Sequence, residues 1–224
     1  MCGRFTLFVV GVELAEVMGL DPSVDLAPRY NIAPGQDVLA VRADAAGQRE
    51  AVHLHWGLIP HWAKDRKIAY KLINARGETA HEKPSFRSAF KRRRCLIPTN
   101  GFYEWQGKGK HKQPYFIRMK DGNPFAFAVL WEVWQSEKSE PVQSCTIVTT
   151  EPNALVKPIH RRMPVILRPD EYERWLTAGP DDLEALRALL VPYPAEAMET
   201  LAVSTLVNNP SVDDPRCIVP NSLF

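Results

Sequence analysis

The chain is poor in cysteine, short of long apolar runs and free of compositionally skewed tracts, and each lack excludes something. Its four cysteines, Cys2, Cys95, Cys145 and Cys217, stand far apart in 224 residues. That is too few and too dispersed for a disulfide framework or a C-x-x-C metal site, so no metal centre is expected. A reducing cytoplasm suits such a sequence. No apolar run reaches the ~18–20 residues that a membrane helix needs. The longest, residues 125–131, has the length of a buried strand. The start, Met1-Cys2-Gly3-Arg4-Phe5, has no basic stretch followed by an apolar one, so no secretory signal is expected. There is no internal repeat and no linker-like tract. With 45% hydrophobic and 24% charged residues the composition is that of an ordinary globular domain. A chain of this length buries a full core unaided, and one domain over residues 1–224 is expected.

What the chain does have is a hidden charge asymmetry. The formal net charge is only +2. Yet residues 60–120 hold 16 Lys and Arg against 4 Asp and Glu, a local net of +12, which leaves −10 for the remainder. A strongly basic third admits two readings: a polyanion-binding surface, or a solvated face with no partner.

The pattern of elements is strand-rich. Residues 12–20 read as a short amphipathic helix. Residues 37–42, 51–56, 68–74, 95–98, 101–106, 115–119, 125–131, 145–150 and 201–207 read as strands, with a charged hairpin tip at 107–110. Residues 78–93 read as helical pieces broken at Pro84, residues 153–159 as a short helix or turn, and residues 169–177 and 181–190 as helices with acidic starts. About ten strands follow one another among four or five short helices. This predicts an α+β fold, a β-rich domain with a largely antiparallel sheet or barrel core and short peripheral helices.

Several residues carry chemistry. If Met1 is trimmed, Cys2 becomes the N-terminus, with an amine and a thiol on adjacent carbons. No other position in a chain offers that pair. Both groups titrate near neutrality, and an amine condenses with an aldehyde to a Schiff base that the thiol can close into a thiazolidine. Taken alone, a cysteine at position 2 reads as an incidental small residue. Asn74 and Arg76 are two apart on an expected strand and share a face. Glu104 is a lone carboxylate within the aromatic run Gly101-Phe102-Tyr103-Glu104-Trp105. It is either on a solvated face or buried with its pKa raised toward the range of general acid–base catalysis. His160 can move protons near neutral pH or sit in a turn as a structural residue, and Arg161 and Arg162 beside it can hold phosphate. His53 and His55 lack a third ligand nearby and read as a strand face. Arg87, Lys91, Arg92, Arg93 and Arg94 form a basic run at an expected helix C-terminus. Trp56, Trp62 and Trp105 interleave with the basic region, where they either pack in the core or stack on bases.

Seven motifs occur in order: Met1-Cys2-Gly3-Arg4-Phe5, Arg29-Tyr30-Asn31-Ile32-Ala33-Pro34-Gly35, Trp56-Gly57-Leu58-Ile59-Pro60, Ile73-Asn74-Ala75-Arg76-Gly77-Glu78-Thr79, Cys95-Leu96-Ile97-Pro98, Gly101-Phe102-Tyr103-Glu104-Trp105 and Ile159-His160-Arg161-Arg162-Met163-Pro164. Together they resemble the SRAP family (SOS response-associated peptidase), which includes abasic-site-processing proteins. The resemblance implies a basic cleft for single-stranded DNA. It also implies that mature Cys2 links covalently to the ring-opened sugar of an abasic site and shields it from strand cleavage. By the same resemblance, Asn74 orients the sugar or the N-terminus, and Glu104 and His160 transfer protons. Arg4, Arg76 and Arg162 hold phosphates, and Trp105 lines the cleft. Arg161 departs from the family, where Asp is common after the histidine. It either adds a phosphate contact or removes an orienting partner. The implied partner is abasic single-stranded DNA, without cofactor or membrane, for a monomer in the cytoplasm that joins the nucleoid during repair. Met1 is expected to leave by self-cleavage or by an aminopeptidase. The competing readings are an N-terminal-nucleophile amidohydrolase, a cysteine peptidase acting in trans, and a non-covalent reader of single-stranded or modified DNA.

Overall fold

A computed structural model of the protein describes residues 2–21, 26–107, 109, 112–136 and 139–221. In chain order the regular elements are β1 (Phe5–Leu7), α1 (Val12–Met18), β2 (Arg29–Ile32), β3 (Asp37–Ala43), β4 (Arg49–Trp56), β5 (Asn74–Arg76), α2 (Gly77–Ala80), α3 (Arg87–Arg92), β6 (Arg94–Thr99), β7 (Gly101–Gln106), β8 (Gln113–Met119), β9 (Phe125–Ser136), β10 (Ser139–Thr150), β11 (Met163–Pro164), β12 (Ile166–Leu167), α4 (Tyr172–Thr177), α5 (Leu183–Ala188) and β13 (Met198–Ala202).

The longest strands close on themselves. β9 pairs antiparallel with both β10 and β6, β6 with β3, β3 with β4, and β4 runs parallel to β10, completing a five-stranded barrel. Closure removes the free edges that a strand-rich chain must otherwise protect. β6 is buried along its whole length, as its apolar run Cys95-Leu96-Ile97-Pro98 requires. Beyond Leu130, β9 switches to alternation, with Glu132 and Trp134 buried between outward Val133 and Gln135. That period of two marks a strand with one covered face. A second, wholly antiparallel sheet has the order β13-β8-β7-β1-β2.

Aromatic rings join the two sheets. Phe5 of β1 meets Trp56 at 5.2 Å and Phe127 at 5.9 Å, and Phe102 of β7 meets Phe127 at 6.0 Å, all edge-on. All four rings are buried. Truncating one, as in Phe5→Ala, costs roughly 3–5 kcal/mol in lost contacts and cavity. Gly101 permits the tight β7–β8 crossing: a Cβ there would lie 2.4 Å from the Phe116 ring and 2.7 Å from the Ile117 carbonyl. This packing anchors the start of the chain in the seam between sheet and barrel.

The strand-rich α+β expectation holds, with thirteen strands and five α-helices among the described residues. Two expected strands differ. Residues 68–74 are mostly a 3-10 helix, Arg66–Lys71, started by the Asp65 carboxylate accepting from Lys67 N at 2.8 Å; only Asn74 onward is strand. Its apolar residues Ile68 and Ala69 cover Ile59, Ala63 and Trp134 instead of pairing in a sheet. The last strand is Met198–Ala202, placed by its pairing with β8, and is followed by a 3-10 turn at Thr205–Asn208 capped by Ser204. The tip expected at 107–110 falls partly outside the described residues, at Lys108 and Lys110.

Candidate functional site

The seam collects the chemistry. β1 pairs with β7 at Phe5↔Phe102, and Tyr103 N donates to the Arg4 carbonyl at 2.9 Å. This register brings Glu104 close enough to Cys2 for its charge to act on the thiol. From the barrel side, β5 runs parallel to β10 with Asn74 opposite Ile147. The Asn74 Nδ2 donates to the Cys2 carbonyl at 2.8 Å, tying the second residue of the chain to the barrel. Cys2 is fully buried, and burial pushes its thiol well above the ordinary thiol range.

Glu104 is 4% exposed, and desolvation pushes its pKa up to about 7. A carboxyl with that value holds a proton about half the time at neutral pH and can both give and take one. His160 lies 3.7 Å away, Nδ1 to Glu104 Oε1. Its Nδ1 is 2.9 Å from the Arg162 carbonyl oxygen and 3.1 Å from the Arg162 amide nitrogen, so the next turn of backbone fixes the ring. Burial lowers the His160 pKa, with the nearby Arg161 charge acting in the same direction, which favours the neutral imidazole. Thus Cys2, Asn74, Glu104 and His160, spread over 159 positions of sequence, share one seam, with Cys2 and Glu104 buried and Asn74 and His160 half-buried.

The five residues expected to meet DNA divide. Arg76 and Arg161 are exposed. Arg4 is half-buried, and desolvation lowers its pKa. It donates to Asn31 Oδ1 at 2.7 Å and to the Val207 carbonyl, 5.8 Å above the Trp105 ring. Trp105 in turn donates to Asn208 at 2.7 Å. Arg162 grips Glu78 through both nitrogens, at 2.5 and 2.9 Å, and donates to the Thr149 carbonyl at 2.6 Å. Its guanidinium is therefore engaged within the protein.

The basic run also divides. Arg87, Lys91 and Arg92 are exposed, whereas Arg93 pairs with Glu132 at 2.7 Å and buried Arg94 donates to the carbonyls of Phe90, Trp175 and Ala178. Among the tryptophans, Trp56 is fully buried and Trp62 is half exposed, in an open cavity of about 610 Å³ with His61, Pro84, Arg87 and Ser88. His55 approaches Asp37 at 3.5 Å, and no group of three metal-ligating side chains occurs among the described residues.

Three residues escaped the sequence reading. Asn31 is fully buried and donates to the carbonyls of Val207, Asn209 and Val212 at 3.3, 3.0 and 2.6 Å, drawing the C-terminal segment over the seam. Glu78 and Thr149 hold Arg162. Asn31 left a trace, an amide inside the apolar run Tyr30-Asn31-Ile32, and Glu78 lies within one of the seven motifs, but their roles depend on partners that only the fold brings near, as does that of Thr149.

Comparison with known proteins gives a consistent picture. Residues 1–210 match the family described as SOS response associated peptidase (SRAP). The chain is 46% identical over 222 residues to abasic site processing protein YoqW of Bacillus subtilis, covering 97% of this chain and 99% of that protein. It is 33% identical over 227 residues to abasic site processing protein HMCES of Gallus gallus, covering 88% and 67%. Among solved structures, a protein from Bacteroides thetaiotaomicron superposes with a TM-score of 0.85 at 27% identity, over 98% of this chain and 99% of that one.

Proposed function

The chain belongs to the SRAP family, and on that premise we propose that it processes abasic sites in single-stranded DNA by forming a thiazolidine crosslink through Cys2. The observation that carries this reading is the shared seam of Cys2, Asn74, Glu104 and His160, with a carboxyl poised near neutrality beside the thiol. Adding water across the Met1–Cys2 amide releases methionine and frees the Cys2 amine; we assign this step to the same seam. The free amine attacks C1′ of the open-chain sugar, and the carbinolamine loses water to give an iminium. The thiol then adds to the iminium carbon and releases its proton, so the product is protein plus DNA less one water.

In this scheme Glu104 donates the proton that lets water leave and later accepts the thiol proton. It suits a thiol that burial keeps protonated: sulfur enters second, onto an activated iminium, and no standing thiolate is needed. Asn74 holds the Cys2 carbonyl and so aims the residue. His160, neutral at pH 7, supports proton transfer beside Glu104. Arg76 and Arg161, both exposed, meet the DNA backbone, while Arg4, Trp105 and Arg162 shape the cleft wall. The likeness to the abasic site processing proteins YoqW and HMCES supports the abasic-site part of the proposal.

The test is a denaturing gel with abasic single-stranded DNA, read together with adduct mass. A band that survives denaturation, at a mass one water below the sum and lacking Met1, is the expected result. A complex that always falls apart on denaturation makes the protein a non-covalent reader and removes the proposal.

A further inference from the structure

We propose that Glu78 is a positioning residue for His160, acting through Arg162; the catalytic consequence rests on the function proposed above, while the positioning itself does not. Glu78 follows β5 by two residues. Its carboxylate meets Arg162 in a two-point contact, Nη1 to Oε1 at 2.5 Å and Nη2 to Oε2 at 2.9 Å. Such a fork fixes direction as well as distance, which a single contact does not. The same Nη2 donates to the Thr149 carbonyl at 2.6 Å, and Thr149 lies opposite Arg76 in the β5–β10 register. Arg162 is thus clamped to the strand pair that carries Asn74.

The clamp reaches the imidazole through backbone. Residue 162 presents both its amide nitrogen, at 3.1 Å, and its carbonyl oxygen, at 2.9 Å, to His160 Nδ1. A residue whose side chain is anchored at three points cannot swing its main chain freely, so the ring is held in place as well, with Nδ1 donating to the carbonyl in one tautomer and accepting from the amide in the other. Glu78 therefore sets how far the His160 turn stands from the Asn74 strand, and with it the 3.7 Å spacing from His160 to Glu104. The Arg162 guanidinium holds the Glu78 carboxyl below the usual carboxylate range, so the clamp persists through the pH window in which Glu104 titrates.

Among the described residues, the charged groups that bear on His160 include Glu104 from β7, Arg161 and Arg162 from its own turn, and Lys112 ahead of β8. Neutralising Glu78 leaves the Arg162 cation uncompensated and loosens the carbonyl that favours protonated His160. Both effects move the His160 pKa the same way, further down.

The experiment compares wild type, Glu78→Gln and Glu78→Asp by two readouts. The first is an NMR titration of the His160 ring with its nitrogen shifts for tautomer; it needs no DNA. The second is the single-turnover crosslinking rate at saturating abasic DNA across pH. We expect Glu78→Gln to lower the His160 pKa, to slow crosslinking by roughly tenfold or more with DNA affinity changed much less, and to shift the pH profile. Glu78→Asp should restore part of each. A His160 titration and tautomer unchanged in Glu78→Gln would overturn the positioning role, whatever the crosslinking assay gives. If no variant, wild type included, forms an adduct, the proposed function fails, and the NMR readout still decides this one.

Discussion

The barrel and the seam both bury cysteine completely, and they surround it with different groups. Cys95 and Cys145 lie on β6 and β10 of the barrel, near enough to influence each other, and burial pushes both thiols up. Their main chains serve the packing: Cys95 O accepts from the Trp175 indole at 2.9 Å and Cys145 O accepts from Gly57 N at 3.0 Å. Cys2 is just as buried and its thiol is also pushed up. What differs is the company. Around Cys2 stand Glu104, poised near pH 7, the His160 ring and the Asn74 amide, and around the barrel thiols stand apolar strands. Burial alone is a packing device; burial beside groups that exchange protons near neutrality is what the proposed chemistry requires.

The largest effect expected from this contrast separates the two places outright. Cys2→Ala should abolish the denaturation-resistant adduct, at a packing cost no greater than that of truncating any other fully buried thiol. Cys2→Ser should leave only a Schiff base that a reductant can trap. Cys95→Ala or Cys145→Ala should keep the adduct while destabilising the fold by a comparable amount, about 1–2 kcal/mol through a small cavity. Gels and thermal melts on the four variants check this. An undiminished adduct in Cys2→Ala, or one lost in Cys95→Ala at full stability, breaks the comparison. A form with an additional residue before Cys2 should behave like Cys2→Ala on the gel yet still bind DNA, because an amide nitrogen does not attack an aldehyde.

Next in size is Glu104→Gln. The amide keeps the shape but exchanges no proton, so the single-turnover rate should fall by about 10²-fold, with DNA affinity nearly constant. The same change should stabilise the protein. The Glu104 carboxyl is raised from 4.5 to about 7 on folding, so the folded state binds more protons than the unfolded one between those values. Stability therefore declines as pH rises from ~4.5 to ~7, by a ceiling of about 3 kcal/mol. Glu104→Gln should lose that decline. Denaturant melts at pH 5 and pH 7.5 measure it, and equal slopes for both proteins would show that Glu104 is not held at such a cost.

Much of this architecture was legible in the sequence, and what was not shares a cause. Strands such as Gly101–Gln106 and Asp37–Ala43 declare themselves by local apolar pattern, and Pro84 breaks the helical stretch where expected. The run at 68–74 misled because burial under Trp134, a partner 60 and more positions away, imposes no strand period. Short strands such as β11 and β12 exist only through their pairing with β10 and β9. At the site, Cys2, Asn74, Glu104 and His160 stood out by residue type and motif, but neither Asn31's hold on the C-terminal segment nor Glu78's grip on Arg162 is visible without the fold.

The contrast between working and packing residues recurs among the arginines, where it gives the smallest and most selective prediction. Counting charge cannot distinguish Arg76 from Arg94, since both fall in the +12 segment. Arg94 is buried, and desolvation lowers its pKa to about 10; it donates to three backbone carbonyls around α3 and α4. Arg76 is exposed at the end of β5, two positions beyond Asn74. If the exposed cation meets a phosphate of single-stranded DNA, Arg76→Ala removes one counterion-releasing contact. The slope of log K against log salt should then become shallower by about 0.7. Stability should not change, because an exposed side chain without packing contributes little. Arg94→Ala should instead strand its carbonyls and destabilise the fold by roughly 2–4 kcal/mol, while molecules that remain folded keep the wild-type slope. Binding titrations at several salt concentrations, paired with melts, read both quantities on the same samples. An Arg76→Ala slope equal to wild type would make that edge of β5 a solvated face and leave Arg161 and the α3 cations to carry the backbone.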